Sequence, residues 1–232
     1  MNANTSYLKI EVKIKDIQKD KVVLNTVKKR INEFEENFKG DNLLWFKELC
    51  FCLLTANFKA ETCIKICEKE KKNDTFLNFS FAELSRFLKE NNHRFPNTRA
   101  KFIVEARKYK LNLKDILTKA ENENHLTSLG DFQNKFGNEA REFLVKNIKG
   151  IGYKEASHFL RNVGYKNFAI LDRHILMTLY ENKIISEIPK QLNKNTYIKI
   201  ENLMKIIGGD LKISLAELDL YLWYSKTGKI LK

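Results

Sequence analysis

Apolar residues recur three and four positions apart along most of this 232-residue chain, which is the pattern of amphipathic helices. The spacing is clearest over residues 22–38, 43–56 and 99–109, and it predicts a helix in each segment. Only two prolines interrupt the chain, so long helices meet little resistance. Residues 7–13 alternate between apolar and polar instead, which predicts one short strand. The pattern as a whole predicts an all-α fold.

One segment is apolar on every side of a helix rather than along one stripe. Residues 49–56 have the sequence Leu-Cys-Phe-Cys-Leu-Leu-Thr-Ala, which is typical of a helix surrounded by other helices. We expect this helix to form the centre of a helical barrel or bundle. Polar stretches at residues 121–124 and 192–196 are the candidate linkers.

The charge balance indicates the kind of partner. The chain has 42 Lys and Arg residues against 29 Asp and Glu residues, which gives a formal net charge of +13. This excess predicts a polyanionic partner or an acidic membrane surface. Because the charges are interspersed along the chain, the excess must lie on a folded surface rather than in a basic tail.

Two classes of location are disfavoured by the sequence. No stretch approaches the roughly 20 consecutive apolar residues of a membrane-spanning helix. The first residues also lack the apolar core of a signal peptide. We therefore expect a soluble intracellular protein that does not enter a membrane.

The four cysteines do not have the spacing of a metal site. Cys50, Cys52, Cys63 and Cys67 contain no Cys-x-x-Cys pair, and no histidine-bearing half of a zinc site follows them. They lie among apolar residues, as buried free thiols of a reducing compartment do. We expect no metal and no cofactor.

A glycine-containing turn between two helices is the most informative local feature. Residues 140–164 are predicted to form a helix, a tight hairpin around Gly150 and Gly152, and a second helix with an apolar stripe. A glycine turn at a helix N-terminus presents backbone N–H groups and a positive dipole end to a phosphate. We expect Gly150, Gly152 and the adjacent Lys149 to contact a DNA backbone. An ordinary corner between two helices has the same pattern.

A second motif follows the hairpin. Asp172 stands directly before an apolar-periodic run that begins at Arg173, so it is predicted to be the N-cap of a helix. The combination of residues 148–156, Ile-Lys-Gly-Ile-Gly-Tyr-Lys-Glu-Ala, with residues 171–174, Leu-Asp-Arg-His, resembles the helix-hairpin-helix DNA glycosylases. More narrowly, it resembles the archaeal-type 8-oxoguanine DNA glycosylase/AP lyases.

The resemblance spans nearly the whole chain, since residues 45–57, 93–95 and 218–232 also match in order. It implies two helical lobes flanking a DNA-binding cleft. We expect residues 45–165 to form a helical barrel lobe that ends in the helix-hairpin-helix motif, residues 140–164. Residues 1–44 and 166–232 are expected to form the second lobe.

The resemblance also implies a bifunctional enzyme. Lys154 is expected to attack the deoxyribose C1′, displace the damaged base and form a Schiff base that undergoes β-elimination of the strand. Asp172 is expected to stabilise the positive charge that develops on the sugar. Without the resemblance, Lys154 is one more solvated lysine and Asp172 is a helix cap, and the capping role is compatible with the catalytic one.

Base recognition is expected near the end of the chain. Ser214 and Glu217 form a capping box that predicts a helix carrying Trp223, which the resemblance assigns to the base pocket. The resemblance also assigns Lys232 and its carboxylate to the distinction between 8-oxoguanine and guanine. The oxidised base carries a donor at N7 where guanine has an acceptor. The alternatives are a core tryptophan and a frayed terminal lysine.

Three residues are candidates for contacts with the base left unpaired when a nucleotide is flipped. The resemblance places Asn57 where related enzymes insert an amide into the DNA, although Asn57 is equally suited to end a helix. Phe95 is a candidate wedge and Arg94 a candidate contact to the orphaned base. Arg173 is a further candidate phosphate contact.

One departure from related enzymes narrows the substrate. Endonuclease III-like relatives carry four cysteines for an iron–sulfur cluster after the aspartate, whereas no cysteine follows Cys67 here. This favours oxidised purines over oxidised pyrimidines. We expect the partner to be double-stranded DNA that contains 8-oxoguanine or an abasic site, and we expect a monomeric enzyme that acts in the cytoplasm or at the nucleoid. The alternatives are a glycosylase of the same fold for oxidised pyrimidines and a non-catalytic helix-hairpin-helix protein in which Lys154 only contacts phosphate.

Overall fold

The computed structural model describes residues 3–70, 74–118 and 129–232, and within them every regular element is helical. This confirms the all-α prediction. The helices, in chain order, are α1 Ala3–Lys19, α2 Lys21–Lys39, α3 Asn42–Thr55, α4 Ala60–Glu70, α5 Thr75–Asn78, α6 Phe81–Glu90, α7 Pro96–Ala106 with a 3-10 turn at Arg107–Tyr109, α8 Leu113–Thr118, α9 Leu129–Asn147, α10 Tyr153–Asn162, α11 Arg173–Glu181, α12 Lys194–Leu211 and α13 Leu215–Thr227.

The structure describes only one of the two stretches predicted to be linkers. Residues 121–124 lie outside the described residues. In the second stretch, Asn193 accepts a hydrogen bond from the backbone N–H of Thr196 and caps α12, which begins at Lys194. The prediction of a linker over residues 192–196 is therefore wrong for most of its length.

The strand predicted at residues 7–13 is also wrong, because this segment lies inside α1. Its alternating apolar positions include Leu8 and Val12, which are exposed. Ile10 and Ile14 are buried instead, one helical turn apart. The face that reaches the core therefore has helical spacing, and packing of that face outweighs a short alternating pattern.

The buried side chains form two hydrophobic cores. The first extends from Trp45 to Phe168 and has α3 at its centre, where Phe46, Leu49 and Leu53 are fully buried. Helix α3 packs against α4, α7, α8 and α10, which confirms the predicted central helix. The second core combines α1 and α2 with residues from Ala169 to Leu222. The lobe boundaries given above stay a prediction.

Helix α10 lies where the two cores meet. Its apolar stripe belongs to the first core, and its C-terminus contacts α2 of the second. Gly164 makes this contact possible, since it has a φ of +95° and an added Cβ would lie 2.9 Å from the carbonyl oxygen of Phe34. Buried Arg161 of α10 also forms a 2.5 Å ion pair with Asp219 of α13. These contacts hold α10, the helix that carries the predicted nucleophile Lys154, against both cores.

The cysteines have the predicted environment. Cys50, Cys52 and Cys63 are buried, and Cys67 is half-buried. Burial raises the pKa of the Cys63 thiol to about 12, with the positive charges of Arg99 and Lys154 opposing the rise. Among the described residues there is no group of three or more side chains suited to hold a metal ion. In the same part of the chain, no helix is both long enough and apolar enough to cross a bilayer.

Candidate active site

The predicted hairpin connects α9 to α10. Ile148 and Ile151 are buried on either side of the turn and anchor it to the first core. Gly150 has a φ of +88°, and an added Cβ would lie 2.3 Å from the ring of Phe102 on α7. Both the backbone conformation and this close approach require glycine. The helix-hairpin-helix prediction is therefore confirmed as a structural motif.

Lys154 is the second residue of α10 and lies beside the hairpin. Its side chain is 25% exposed, and its Nζ lies 3.6 Å from a carboxylate oxygen of Glu155. Glu155 also accepts a 3.2 Å hydrogen bond from the backbone N–H of Gly152, so it caps the first turn. Lys149 points to a different partner, since it is 58% exposed and lies 4.0 Å from Glu105. The ammonium of Lys154 is thus partly shielded at the positive end of the helix dipole.

Asp172 caps α11 as predicted. Its Oδ1 accepts a 2.8 Å hydrogen bond from the backbone N–H of Ile175. Arg173, the first residue of the helix, is exposed. The capping bond fixes the carboxylate at the N-terminus of α11, where the helix dipole favours a negative charge.

The segment that leads to Asp172 is held by a buried network. The hydroxyl of Tyr197 donates to the carbonyl of Ala169 at 2.7 Å and accepts from the N–H of Leu171 at 3.2 Å. Glu201 accepts a 3.0 Å bond from the N–H of Ala169 and pairs with Arg141 at 2.8 Å. Helices α9 and α12 therefore jointly position Asp172.

The same network reaches the hairpin. The guanidinium of Arg141 lies over the ring of Tyr153, 5.6 Å from its centroid, and Tyr153 is the residue before Lys154. The hydroxyl of Tyr153 donates to Glu142 at 2.6 Å, and its ring packs on that of Tyr197. One buried cluster therefore holds both the residue before Lys154 and the segment that leads to Asp172. Sequence reasoning missed this cluster, because its members are up to 60 residues apart.

A second carboxylate missed by the sequence lies nearby. Asp219 is 5% exposed, and burial raises its pKa to about 7. The paired guanidinium of Arg161 opposes this rise, the carboxylate of Asp172 adds to it, and Lys154 opposes it. Asp219 is thus within electrostatic range of both sequence-predicted catalytic residues.

Trp223 lies against the start of α11. Its ring meets that of His174 edge to face, with centroids 4.8 Å apart, and His174 is two residues from Asp172. Trp223 is half-buried, and its indole N–H is buried without a hydrogen-bond partner among the described residues. An unpaired buried donor is unusual in a folded protein. The capping box of Ser214 and Glu217 that starts this helix is present as predicted.

Lys232 is held against the first core. Its ammonium forms an ion pair with Glu48 of α3 and lies over the ring of Phe51, 5.0 Å from the centroid. Glu48 in turn accepts a hydrogen bond from Asn162 of α10 at 3.3 Å. The end of the described chain is therefore tied, through buried polar groups, to the helix that carries Lys154.

The three candidate wedge residues lie on two adjoining turns. Asn57 is exposed and follows Ala56, the C-cap of α3, and its φ of +58° turns the chain away from the helix. Arg94 is exposed and lies over the ring of Phe95, 4.9 Å from its centroid. Two buried side chains join these turns. His93 lies 3.0 Å from the carbonyl of Leu54 and accepts from the N–H of Phe95, and Arg99 donates to the carbonyl of Ala56 at 2.5 Å.

The predicted residues therefore fall into three groups. Lys154 and Asp172 lie at the N-termini of α10 and α11, Trp223 contacts His174 of α11, and Lys232 is joined to α10 through Glu48. Gly150, Gly152 and Lys149 lie on the hairpin. The remaining candidates, on the two turns, are Asn57, Arg94 and Phe95.

Comparison with known proteins gives consistent matches. The sequence model of the family described as 8-oxoguanine DNA glycosylase matches residues 27–213. A Methanocaldococcus jannaschii protein named 8-oxoguanine DNA glycosylase/AP lyase is 51% identical over 214 residues, 92% of this chain and 95% of the relative. The protein of the same name from Korarchaeum cryptofilum is 46% identical over 90% of this chain and 92% of its own length.

Solved structures agree with the sequence matches. The crystal structure of the M. jannaschii 8-oxoguanine glycosylase/lyase in complex with a 15mer DNA containing 8-oxoguanine has a TM-score of 0.86 and 49% identity, and covers 97% of this chain and all of that chain. The structure of the Thermotoga maritima 8-oxoguanine DNA glycosylase has a TM-score of 0.85 and 36% identity, with the same coverage. The chain therefore belongs to the archaeal-type 8-oxoguanine DNA glycosylase/AP lyase family.

Proposed function

We propose that this protein excises 8-oxoguanine from double-stranded DNA and cleaves the strand at the abasic site that results. One observation carries the proposal. A lysine follows a glycine hairpin at the N-terminus of α10, and an aspartate caps the neighbouring α11, in a chain 51% identical to an 8-oxoguanine DNA glycosylase/AP lyase. Each residue alone has an ordinary structural role, whereas the pair at two helix N-termini fits attack on a sugar.

Lys154 is the proposed nucleophile. Its neutral amine attacks C1′ of the flipped nucleotide, and the glycosidic bond breaks as the N–C bond forms, so the base leaves with the electron pair and takes up a proton. The adduct opens to a Schiff base, which acidifies the C2′ proton. Loss of that proton breaks the C3′–O bond and cleaves the strand. Lys154 lies at the N-terminus of α10 and its side chain is 25% exposed, so the amine is held beside the hairpin while part of it stays accessible.

Asp172 is the proposed electrostatic partner. Capping occupies Oδ1, and the described residues provide no hydrogen bond to the second oxygen. That oxygen is available to stabilise the positive charge that develops on the sugar as the glycosidic bond breaks. Because its position is set by the N-cap geometry, the carboxylate needs little reorganisation during the reaction.

Trp223 and Lys232 are the proposed readers of the flipped base. The unpaired indole N–H of Trp223 offers a donor, and its ring offers an apolar surface for stacking. A main-chain oxygen of Lys232 would accept the N7 hydrogen of 8-oxoguanine, which guanine lacks. The ion pair with Glu48 supports this assignment, because it keeps Lys232 near the helix of the nucleophile.

The remaining residues are proposed to hold DNA. The hairpin that contains Gly150 and Gly152 contacts a DNA phosphate, and Lys149 and Arg173 add positive charge nearby. On the two adjoining turns, Phe95 wedges into the base stack while Asn57 and Arg94 contact the orphaned base. We propose that a monomer acts on the genome in this way, at the nucleoid.

Covalent trapping with borohydride tests the proposal directly. Duplexes that carry 8-oxoguanine, thymine glycol or a preformed abasic site are incubated with the protein and reductant, and cross-linked product is quantified. We expect trapping on 8-oxoguanine and on the abasic site. Preferential trapping on thymine glycol would instead indicate an oxidised-pyrimidine glycosylase, and DNA binding without any trapping would indicate a non-catalytic DNA-binding protein.

A further inference from the structure

His158 is a buried polar residue to which none of the roles above gives a purpose. It lies on α10, one turn beyond Lys154, and is 7% exposed. Neither ring nitrogen makes a hydrogen bond with the described residues. A buried imidazole without partners is costly in a folded protein, so a group that binds it at some stage of function is expected.

One aromatic ring and several cations lie near His158. Its ring meets that of Phe51 edge to face, with centroids 5.6 Å apart. Burial lowers its pKa well below 6.5, and the positive charges of Arg161 and Lys154 lower it further. The imidazole is therefore neutral at physiological pH and carries one N–H donor and one acceptor.

The end of the described chain lies near this imidazole, since His158 and Lys232 both contact the ring of Phe51. The backbone of Lys232 is near enough to raise the pKa of His158, although the contact lacks the geometry of a full hydrogen bond. The ammonium of Lys232 lies over the ring of Phe51, 5.0 Å from its centroid, and the same ring meets His158. Lys232 is thus held at its side chain by Glu48, and its main chain lies near an imidazole whose ring nitrogens have no partner among the described residues.

We propose that His158 is a positioning residue for base recognition, whose imidazole N–H binds the main chain of Lys232 when a damaged base fills the pocket. The bond would hold the Lys232 oxygen at the position where it accepts the N7 hydrogen of 8-oxoguanine. Because His158 and Lys154 share α10, the reader of the base and the nucleophile are then set by one helix. This inference rests on the function proposed above.

Two substitutions distinguish the effect of the hydrogen-bond donor of His158 from the effect of its size. His158→Gln keeps an N–H donor in a side chain of related length, and His158→Leu fills the space without one. Single-turnover excision is measured on duplexes with 8-oxoguanine and with guanine at the same position, together with cleavage of a preformed abasic site. We expect His158→Leu to lower the 8-oxoguanine to guanine ratio about tenfold, the size expected for one lost hydrogen bond. His158→Gln should restore most of the ratio.

Cleavage of the abasic site identifies the step that is affected. It uses Lys154 but reads no base, so in His158→Leu it should fall far less than excision of 8-oxoguanine. Thermal unfolding is measured first, and His158→Met, with its adaptable side chain, replaces His158→Leu if the latter does not fold. Equal losses in excision and abasic cleavage would overturn the inference, because they would indicate a structural role.

The coupling to Lys232 is tested in a double variant. In a chain that lacks Lys232, His158→Leu should change the 8-oxoguanine to guanine ratio no further, since the partner is already absent. A further independent loss, or an unchanged ratio in His158→Leu alone, contradicts the inference and leaves the proposed function intact. Failure of the unsubstituted protein to be trapped on abasic DNA would instead contradict the proposed function.

Discussion

The helix N-termini that hold Lys154 and Asp172 differ from the turns that hold Asn57 and Phe95 in how the molecule supports them. Behind Lys154 and Asp172 lies a buried cluster of Arg141, Tyr197 and Glu201, all at most 2% exposed. Asn57 and Arg94, in contrast, are exposed at the surface on short turns. Groups that react with the sugar need fixed geometry, whereas groups that enter DNA must be accessible and adapt to it.

The same contrast appears in the buried partners of each region. The side proposed to be catalytic depends on charge-assisted bonds between helices distant in sequence, such as Arg161 with Asp219. On the wedge side, His93 and Arg99 bind backbone carbonyls at the end of α3. Substitutions on the first side should therefore change the rate of chemistry, and substitutions on the second should mainly change DNA binding.

The largest effect is expected for Lys154→Gln. The substitution removes the proposed nucleophile, so base release and borohydride-trapped product should fall by at least about a thousandfold. Gel-based trapping on 8-oxoguanine duplexes measures both. Lys205→Gln, which removes one exposed charge from α12, is the matched control. A trapped complex that persists in Lys154→Gln would exclude Lys154 as the nucleophile.

Asp172→Asn should have the next largest effect. An asparagine caps a helix about as well as an aspartate, so the fold and DNA binding should be retained. Loss of the negative charge should slow base release and trapping by about a hundredfold. Single-turnover rates and DNA affinity are measured together. Asp172→Ala provides the comparison, since it also loses the cap and should reduce the free energy of unfolding by about 1 kcal/mol.

Tyr197→Phe tests whether the buried cluster supports the chemistry. It removes the hydroxyl that bridges Ala169 and Leu171, which leaves their backbone groups unpaired and should reduce the free energy of unfolding by about 1–3 kcal/mol. We expect trapping to slow about tenfold as Asp172 loses its fixed position. Tyr180→Phe, at an exposed position on α11, should change neither thermal unfolding nor trapping. A destabilised Tyr197→Phe variant with an unchanged trapping rate would separate stability from catalysis.

Arg94→Gln on the wedge side should give the smallest effect. The lost cation should weaken DNA binding about threefold and make that binding slightly less dependent on salt. Its effect on the single-turnover rate at saturating protein should be smaller than its effect on affinity. Fluorescence anisotropy at several salt concentrations gives the affinity. A loss of rate as large as that in Asp172→Asn would remove the distinction between the two regions.

Features that depend on neighbours in sequence could be predicted from the sequence. The helical spacing of α2 and α3, the N-cap at Asp172 and the capping box of Ser214 and Glu217 involve residues within four positions of each other. The hairpin belongs to this group as well, because Gly150 is required by a local positive φ. Such interactions form whenever the segment is helical, so their pattern is sufficient evidence.

Features that depend on packing were decided only by the tertiary structure. Helix α1 forms in place of the predicted strand because Ile10 and Ile14 reach the second core together. Glu48 and Lys232 are 184 residues apart, and His158 acquires its surroundings only when α3 and the end of the chain meet α10. A sequence determines which side chains are stabilised by burial and which need a polar partner. The partner itself depends on which surfaces pack together, because buried charges and donors pair across helices that no local pattern relates.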